Sequence, residues 1–193
     1  MARADERGWR SVQPHWSTNA SVGAQPILGL DKASRHVRAE IVDMVARARA
    51  GRRTEQILLA GEPPAVLDAY AAWLEVPRAA MTTTGLDEGV DVTWNFDEPS
   101  PPQLGTYDLV ISQAIIEHLV DPFGHLCQLW GLTSAGGALL VHTVVPGFPY
   151  HRHPIDCLRF YPDWFEAVGQ RLGATIEDRY CDDLRICVVL RRQ

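Results

Sequence analysis

The chain has only four cysteines, Cys127, Cys157, Cys181 and Cys187, and no two of them form a Cys-x-x-Cys pair. That spacing argues against a disulfide framework or a zinc ribbon, and the thiols read as the reduced ones of a cytoplasmic protein. Basic charge is also scarce. Eighteen Lys and Arg stand against 24 Asp and Glu, giving a formal net charge of −6, and the one dense basic run, RARAGRR at residues 47–53, is short. No broad cationic face is expected, so nucleic acid is excluded as a partner. The longest apolar runs, GALLVHTVVPGF and YDLVISQAII, are too short to span a bilayer, and no membrane association is expected. MARADERGWR at the start holds no apolar signal region. Internal repeats and low-complexity tracts are lacking. What is there, 193 residues with a hydrophobic fraction of 46%, suits one compact domain with a sizeable core.

Residues 1–30 are polar, carry Trp9 and Trp16 and show no period, which reads as an N-terminal arm or a lid over a site; residues 31–193 read as a single domain. In DKASRHVRAEIVDMVARARAG, Val37, Ile41, Met44, Val45 and Ala48 share one helical face, and Gly51 is a helix stop. QILLA reads as a buried strand. PPAVLDAYAAWLEV reads as a helix with Val66, Tyr70, Trp73 and Leu74 on one face and proline in its first turn. RAAMTTTG and VDVTWNF read as strands, and YDLVISQAI as a strand covered on both faces. In DPFGHLCQLWGLT, Asp121 is the cap of a helix that begins at Pro122. SAGG turns the chain into the strand ALLVHTVV. A helix at YPDWFEAVGQRLG and an antiparallel pair, ATIEDRY with LRICVVLRR, close the chain. Alternating strands and helices predict a mostly parallel α/β sheet, with ligands beyond the carboxyl ends of its strands.

YDLVISQAIIEHLVDPFGHLCQLWGLTSAGGALLVHTVVP resembles the second half of class I S-adenosylmethionine (SAM)-dependent methyltransferases of the type 11-like kind. The carriers of the likeness are Glu-His-Leu, then Asp-Pro, a helix, a Gly-Gly turn and a strand. PYHRHPIDCLRFYPDWFEAV is similar to the His, Pro-x-Asp, Arg-Phe, Thr-Pro stretch that a subgroup of small methyltransferases carries after its fifth strand. The resemblance covers about residues 55–190. It implies a Rossmann-like sheet of seven mostly parallel strands with the last antiparallel, helices on both faces, and methyl transfer from SAM to an oxygen or nitrogen of a small molecule or sugar. It places SAM along Gly61, Glu62, Asn95, Phe96 and Gln113. His118 or His151 would take the acceptor's proton, and Asp156, in the substrate loop, is assigned to the catalytic set with them.

The glycine-rich motif departs from the family pattern. Aligned on Gly61, the usual acid is Leu59 and the later glycines are Pro63 and Ala65. Each proline removes an N–H donor and fixes φ near −65°, and both changes oppose close binding of an anion. The ribose-binding acid could be Thr84 or Asp87 by position, and Asn95 stands where the adenine-contacting aspartate is expected. These departures leave open a protein that lost SAM and runs a lyase, cyclase or hydrolase step with its histidines, or serves as a non-catalytic partner subunit or homodimer. His142, His151, His153 and Asp156 have ligand chemistry, but no metal site is predicted, because their spacing alone is a weak signal. Arg159 is expected to clamp Asp156. Trp94, Trp130 and Trp164 are expected in the core. Tyr161 offers no cap to the helix after it.

Overall fold

The computed structural model describes residues 3–4, 10–11, 30–152 and 155–193, with side chains from residue 39 onward. Among the described residues nine strands form one sheet: β1 (Arg3–Ala4), β2 (Arg10–Ser11), β3 (Ile57–Ala60), β4 (Met81–Gly85), β5 (Val92–Thr93), β6 (Tyr107–Gln113), β7 (Thr133–Val144), β8 (Thr175–Cys181) and β9 (Arg185–Arg191). Their spatial order is β1-β2-β8-β9-β7-β6-β3-β4-β5. The seven strands from β8 to β5 are the predicted sheet. Only β9 runs against its neighbours β7 and β8; β7, β6, β3, β4 and β5 pair in parallel. The short β1–β2 pair extends the sheet beyond β8, where Arg10 lies opposite Tyr180. Trp9 and Trp16 lie outside the described residues.

Alternation along each strand builds two cores. Ile57 and Leu59 of β3, Leu109 and Ile111 of β6, and Leu140 of β7 face α1 (Leu30–Arg49) and α2 (Leu67–Leu74), where they meet Ile41, Met44, Val45, Tyr70 and Leu74. Leu58, Val110, Leu139 and Val141 face the other way, against Leu126 and Leu129 of α3 (Pro122–Leu132) and Phe165 and Val168 of α4 (Pro162–Leu172). Strands covered on both faces read as unbroken apolar runs, which is why β3, β6 and β7 were legible.

Asp121 caps α3, accepting from the Gly124 N–H at 2.9 Å. Tyr161 precedes α4 with no side-chain cap bond. Trp94 is buried in the core, and Trp130 and Trp164 pack half-buried against it.

Three expectations change. VDVTWNF is strand only at Val92 and Thr93, because Trp94 leaves the edge to bury its ring and donate its indole N–H to the Glu98 carbonyl at 3.0 Å. SAGG is not a turn between elements but a bulge inside β7. Pairing with β6 jumps from Tyr107–Thr133 to Leu109–Ala138, with Gly136 at φ +75 absorbing the bend. Pro63 and Pro64 delay α2, so Pro64–Val66 form a 3-10 turn and Leu67, not Trp73, is buried with Tyr70 and Leu74. Trp73 is 37% exposed.

Candidate cofactor and acceptor site

The carboxyl ends of β3, β4 and β6 open onto one cavity of about 550 Å³. Gly61 is the first residue beyond β3. Its N–H donates to the Thr84 carbonyl at 2.7 Å, locking the end of β3 to β4. Its φ is +79, and a Cβ there would sit 2.1 Å from Ile115 Cδ1. Glycine is therefore favoured by the left-handed backbone, and a Cβ would in addition have to displace the end of the Ile115 side chain. Gly61→Ala is expected to cost about 2–4 kcal/mol, the sum of left-handed strain and overpacking. Urea denaturation checks this: a midpoint equal to that of the parent protein would show that Ile115 yields freely.

Glu62 follows. Its Oε1 accepts from the Tyr70 hydroxyl at 2.8 Å and from the Gln113 amide at 2.9 Å, and Gln113 also donates to the Tyr70 hydroxyl. These residues tie the β3 turn, α2 and the end of β6 into one polar knot on the cavity wall. Ala114, next along, is held at φ +51, an unusual backbone for a residue with a side chain, and its N–H donates to the His142 carbonyl at 2.9 Å.

All five residues assigned to the cofactor, Gly61, Glu62, Asn95, Phe96 and Gln113, line this cavity, and so does His118. Asp87 lines it too, whereas the Thr84 side chain is buried and donates to the Val92 carbonyl at 2.7 Å. Of the two ribose positions left open, only Asp87 faces the cavity. Asn95 sits in a tight turn, its amide donating to Glu98 at 3.3 Å and its carbonyl accepting from the Asp97 N–H at 3.3 Å. Trp73, Leu86, Ile115 and His142 also line the cavity and were not singled out for it. Trp73 carried a signal, since a Trp at the margin of a helical stripe can face a pocket. Ala114 and Ile115 carried none.

The loop after β7 supplies the other end. His118 Nδ1 lies 2.5 Å from the Ile155 carbonyl. A carbonyl only accepts, so Nδ1 donates, and the neutral ring carries its lone pair on Nε2. The His151 ring stands edge-on to His118 with centroids 4.8 Å apart. Asp156 is held from two sides. Arg159 grips its carboxylate with two guanidinium bonds, Nη1 to Oδ1 at 2.5 Å and Nη2 to Oδ2 at 2.7 Å, and the His151 N–H donates to it at 2.6 Å. Arg159 beside it holds the carboxyl down to about 2. Asp156 is thus the anchor of the loop that carries His151, and the Arg159 clamp is present as expected. His153 lies outside the described residues, and His142 is buried at the cavity wall, where burial lowers its ring to about 3, with Arg185 adding to the effect.

No family model matches this sequence. Solved structures do match. A SAM-dependent methyltransferase from Archaeoglobus fulgidus superposes with a TM-score of 0.59 at 10% identity, covering 86% of this chain and 100% of that one. An O-methyltransferase family protein from Burkholderia thailandensis gives a TM-score of 0.55 at 13% identity over 85% of this chain, which spans only 58% of that protein. A [4+2]-cyclase, SpnF, gives a TM-score of 0.56 at 12% identity, covering 79% of this chain and 80% of that one. The chain has the class I methyltransferase fold, a seven-stranded Rossmann-like sheet with helices on both faces.

Proposed function

We propose that this protein is a SAM-dependent methyltransferase of the type 11 group, acting on an oxygen or nitrogen of a small molecule or sugar. The observation that carries the reading is the single cavity at the ends of β3, β4 and β6. It gathers Gly61, Glu62, Asp87, Asn95, Phe96 and Gln113 where this fold presents its ligand, and it places His118 on the same wall. Asp87 would accept from the ribose hydroxyls and Phe96 would pack on the adenine. The Glu62 carboxylate, already braced by Tyr70 and Gln113, suits the ammonium of the methionine end. A lone pair on the acceptor attacks the methyl carbon in line with the carbon–sulfur bond. That bond breaks, its electron pair stays on sulfur as S-adenosylhomocysteine, and the acceptor's proton passes to His118 Nε2 or to His151. Orientation of donor and acceptor supplies most of the acceleration.

A second reading keeps the fold and drops the donor. It is favoured by Pro63 and Pro64, which remove two N–H groups from the loop, and by the [4+2]-cyclase among the structures this fold resembles. Titration calorimetry with SAM and S-adenosylhomocysteine separates the two. Heat and a thermal shift at about 1 mM ligand or below support the donor site. No heat and no shift at that concentration sink it, leaving a lyase, cyclase or hydrolase step or a non-catalytic partner subunit. Among the described residues no helix is long and apolar enough to cross a membrane. A cytoplasmic location, a small-molecule substrate and a homodimer belong to the same proposal.

A further inference from the structure

We propose that Glu117, His118 and His151 form a site for one divalent first-row cation of the zinc kind. The three residues offer a carboxylate oxygen and two ring nitrogens that all lie within 4.8 Å of one another, and Glu117 Oε1 is 4.0 Å from His118 Nε2. These are separations at which the groups do not bond to each other. A tetrahedral cation with bonds of about 2.1 Å holds neighbouring ligand atoms about 3.4 Å apart, so a small inward turn of the two rings completes the set.

The decisive atom is Glu117 Oε1. The side chain is 0% exposed, and its Oε2 accepts from the Thr143 hydroxyl at 2.6 Å, but among the described residues Oε1 has no hydrogen-bond partner. A buried carboxylate oxygen without a donor is costly, and a bound cation is the partner that removes the cost. Arg185 feels the charge of Glu117, yet no hydrogen bond joins them among the described residues. His151 Nδ1 is likewise buried without a hydrogen bond, 3.4 Å from Asp156 Oδ2.

The surroundings are those of a ligand set. Thr143 orients the carboxylate, and the Ile155 carbonyl takes the Nδ1–H of His118, leaving Nε2 to bind. Such outer contacts orient metal-binding carboxylates and histidines. Two imidazoles with one carboxylate suit zinc, iron, cobalt or nickel better than magnesium or calcium. His118 lines the cavity, so the remaining coordination position opens toward the acceptor. An acceptor hydroxyl there would be acidified by the cation. His118 Nε2 would then be a ligand rather than the base, a consequence that rests on the methyl-transfer reading, although the cation site itself does not.

The test uses the full chain without a histidine tag, stripped with chelator and titrated with Zn²⁺ against a chromophoric competitor, then with Co²⁺ followed by absorption. One equivalent should bind, with cobalt d–d bands and no thiolate charge-transfer band. His151→Ala and His118→Ala should each weaken Zn²⁺ binding at least about 100-fold, with the near-ultraviolet circular dichroism unchanged. Glu117→Gln should do the same if it folds, and His151→Ala, at a side chain 35% exposed, keeps the test decisive if it does not. A thiolate band, no stoichiometric binding, or wild-type affinity in the folded His151→Ala variant overturns the site. None of these outcomes depends on whether SAM binds.

Discussion

Between pH 6.5 and pH 4.5 the fold is expected to lose stability steeply, because two buried histidines must stay neutral in it. Burial lowers His125 from 6.5 to about 3, and burial with the nearby Arg185 charge does the same to His142. Among the described residues neither ring has a hydrogen-bond partner on either nitrogen. His125 is enclosed by the Trp94 and Phe96 rings, at centroid distances of 5.4 and 4.7 Å, and burial is what lowers it. Above pH 6.5 the folded and unfolded imidazoles are both neutral and contribute nothing to the pH dependence. As pH falls through 6.5 the unfolded chain takes up protons that the folded chain refuses, so the unfolded state gains, and continues to gain until about pH 3. At roughly 1.4 kcal/mol per pKa unit, each histidine carries on the order of 5 kcal/mol over that window. Urea midpoints at intervals from pH 7 to 4.5 measure the slope before most carboxylates titrate. His125→Phe keeps an aromatic ring against Trp94 and Phe96, adds some volume and removes the proton site. It should shift stability by about 1–3 kcal/mol equally at every pH and cut the slope by about half. An unchanged slope in that variant would show that His125 is not a source of the acid loss.

The two faces of the sheet were readable because burial on both sides leaves apolar runs, and β3, β6 and β7 have them. The site was readable by position. Gly61, Glu62, Asn95, Phe96, Gln113 and His118 stand at strand ends, and strand ends in this topology converge on one cavity. What could not be read was how side chains spend their bonding capacity. Nothing in GEPPAV shows that Glu62 would be braced by Tyr70 from the next helix and Gln113 from β6. Asp156 carried the signature of a reactive carboxylate, but Arg159 three residues later takes both its oxygens. Glu117 was passed over as the neighbour of His118, and only its burial, with one oxygen left without a donor, sets it apart. Sequence spacing drew attention to His151 and His153 as a metal-like pair. The fold instead sets His151 against His118 and Glu117, which approach it from the end of β6.

Arg159→Met is expected to destabilise the protein by about 2 kcal/mol, the energy that corresponds to holding the Asp156 carboxyl from 3.8 down to about 2. The Asp156 side chain is 1% exposed with the guanidinium in place, and its carboxylate loses its main charged partner when that group is gone. Arg159 also donates to the Phe148 and Pro149 carbonyls at 3.2 and 3.0 Å, which makes it the hub of the turn that leads into His151. Removing it frees both sides of that turn. The His151 amide, which donates to Asp156, should lose hydrogen-exchange protection, while amides of β6 and β7 should lose it only in step with global stability. Asp156→Asn alone should cost less, because the arginine left behind is 20% exposed and reaches solvent. The double variant should be more stable than Arg159→Met alone, since it no longer buries an unpaired carboxylate. Purely additive energies in that cycle would mean the two side chains hold the loop independently. A loss in the double variant well below the sum of the two single losses places the rigidity of the His151 loop in the Asp156–Arg159 fork.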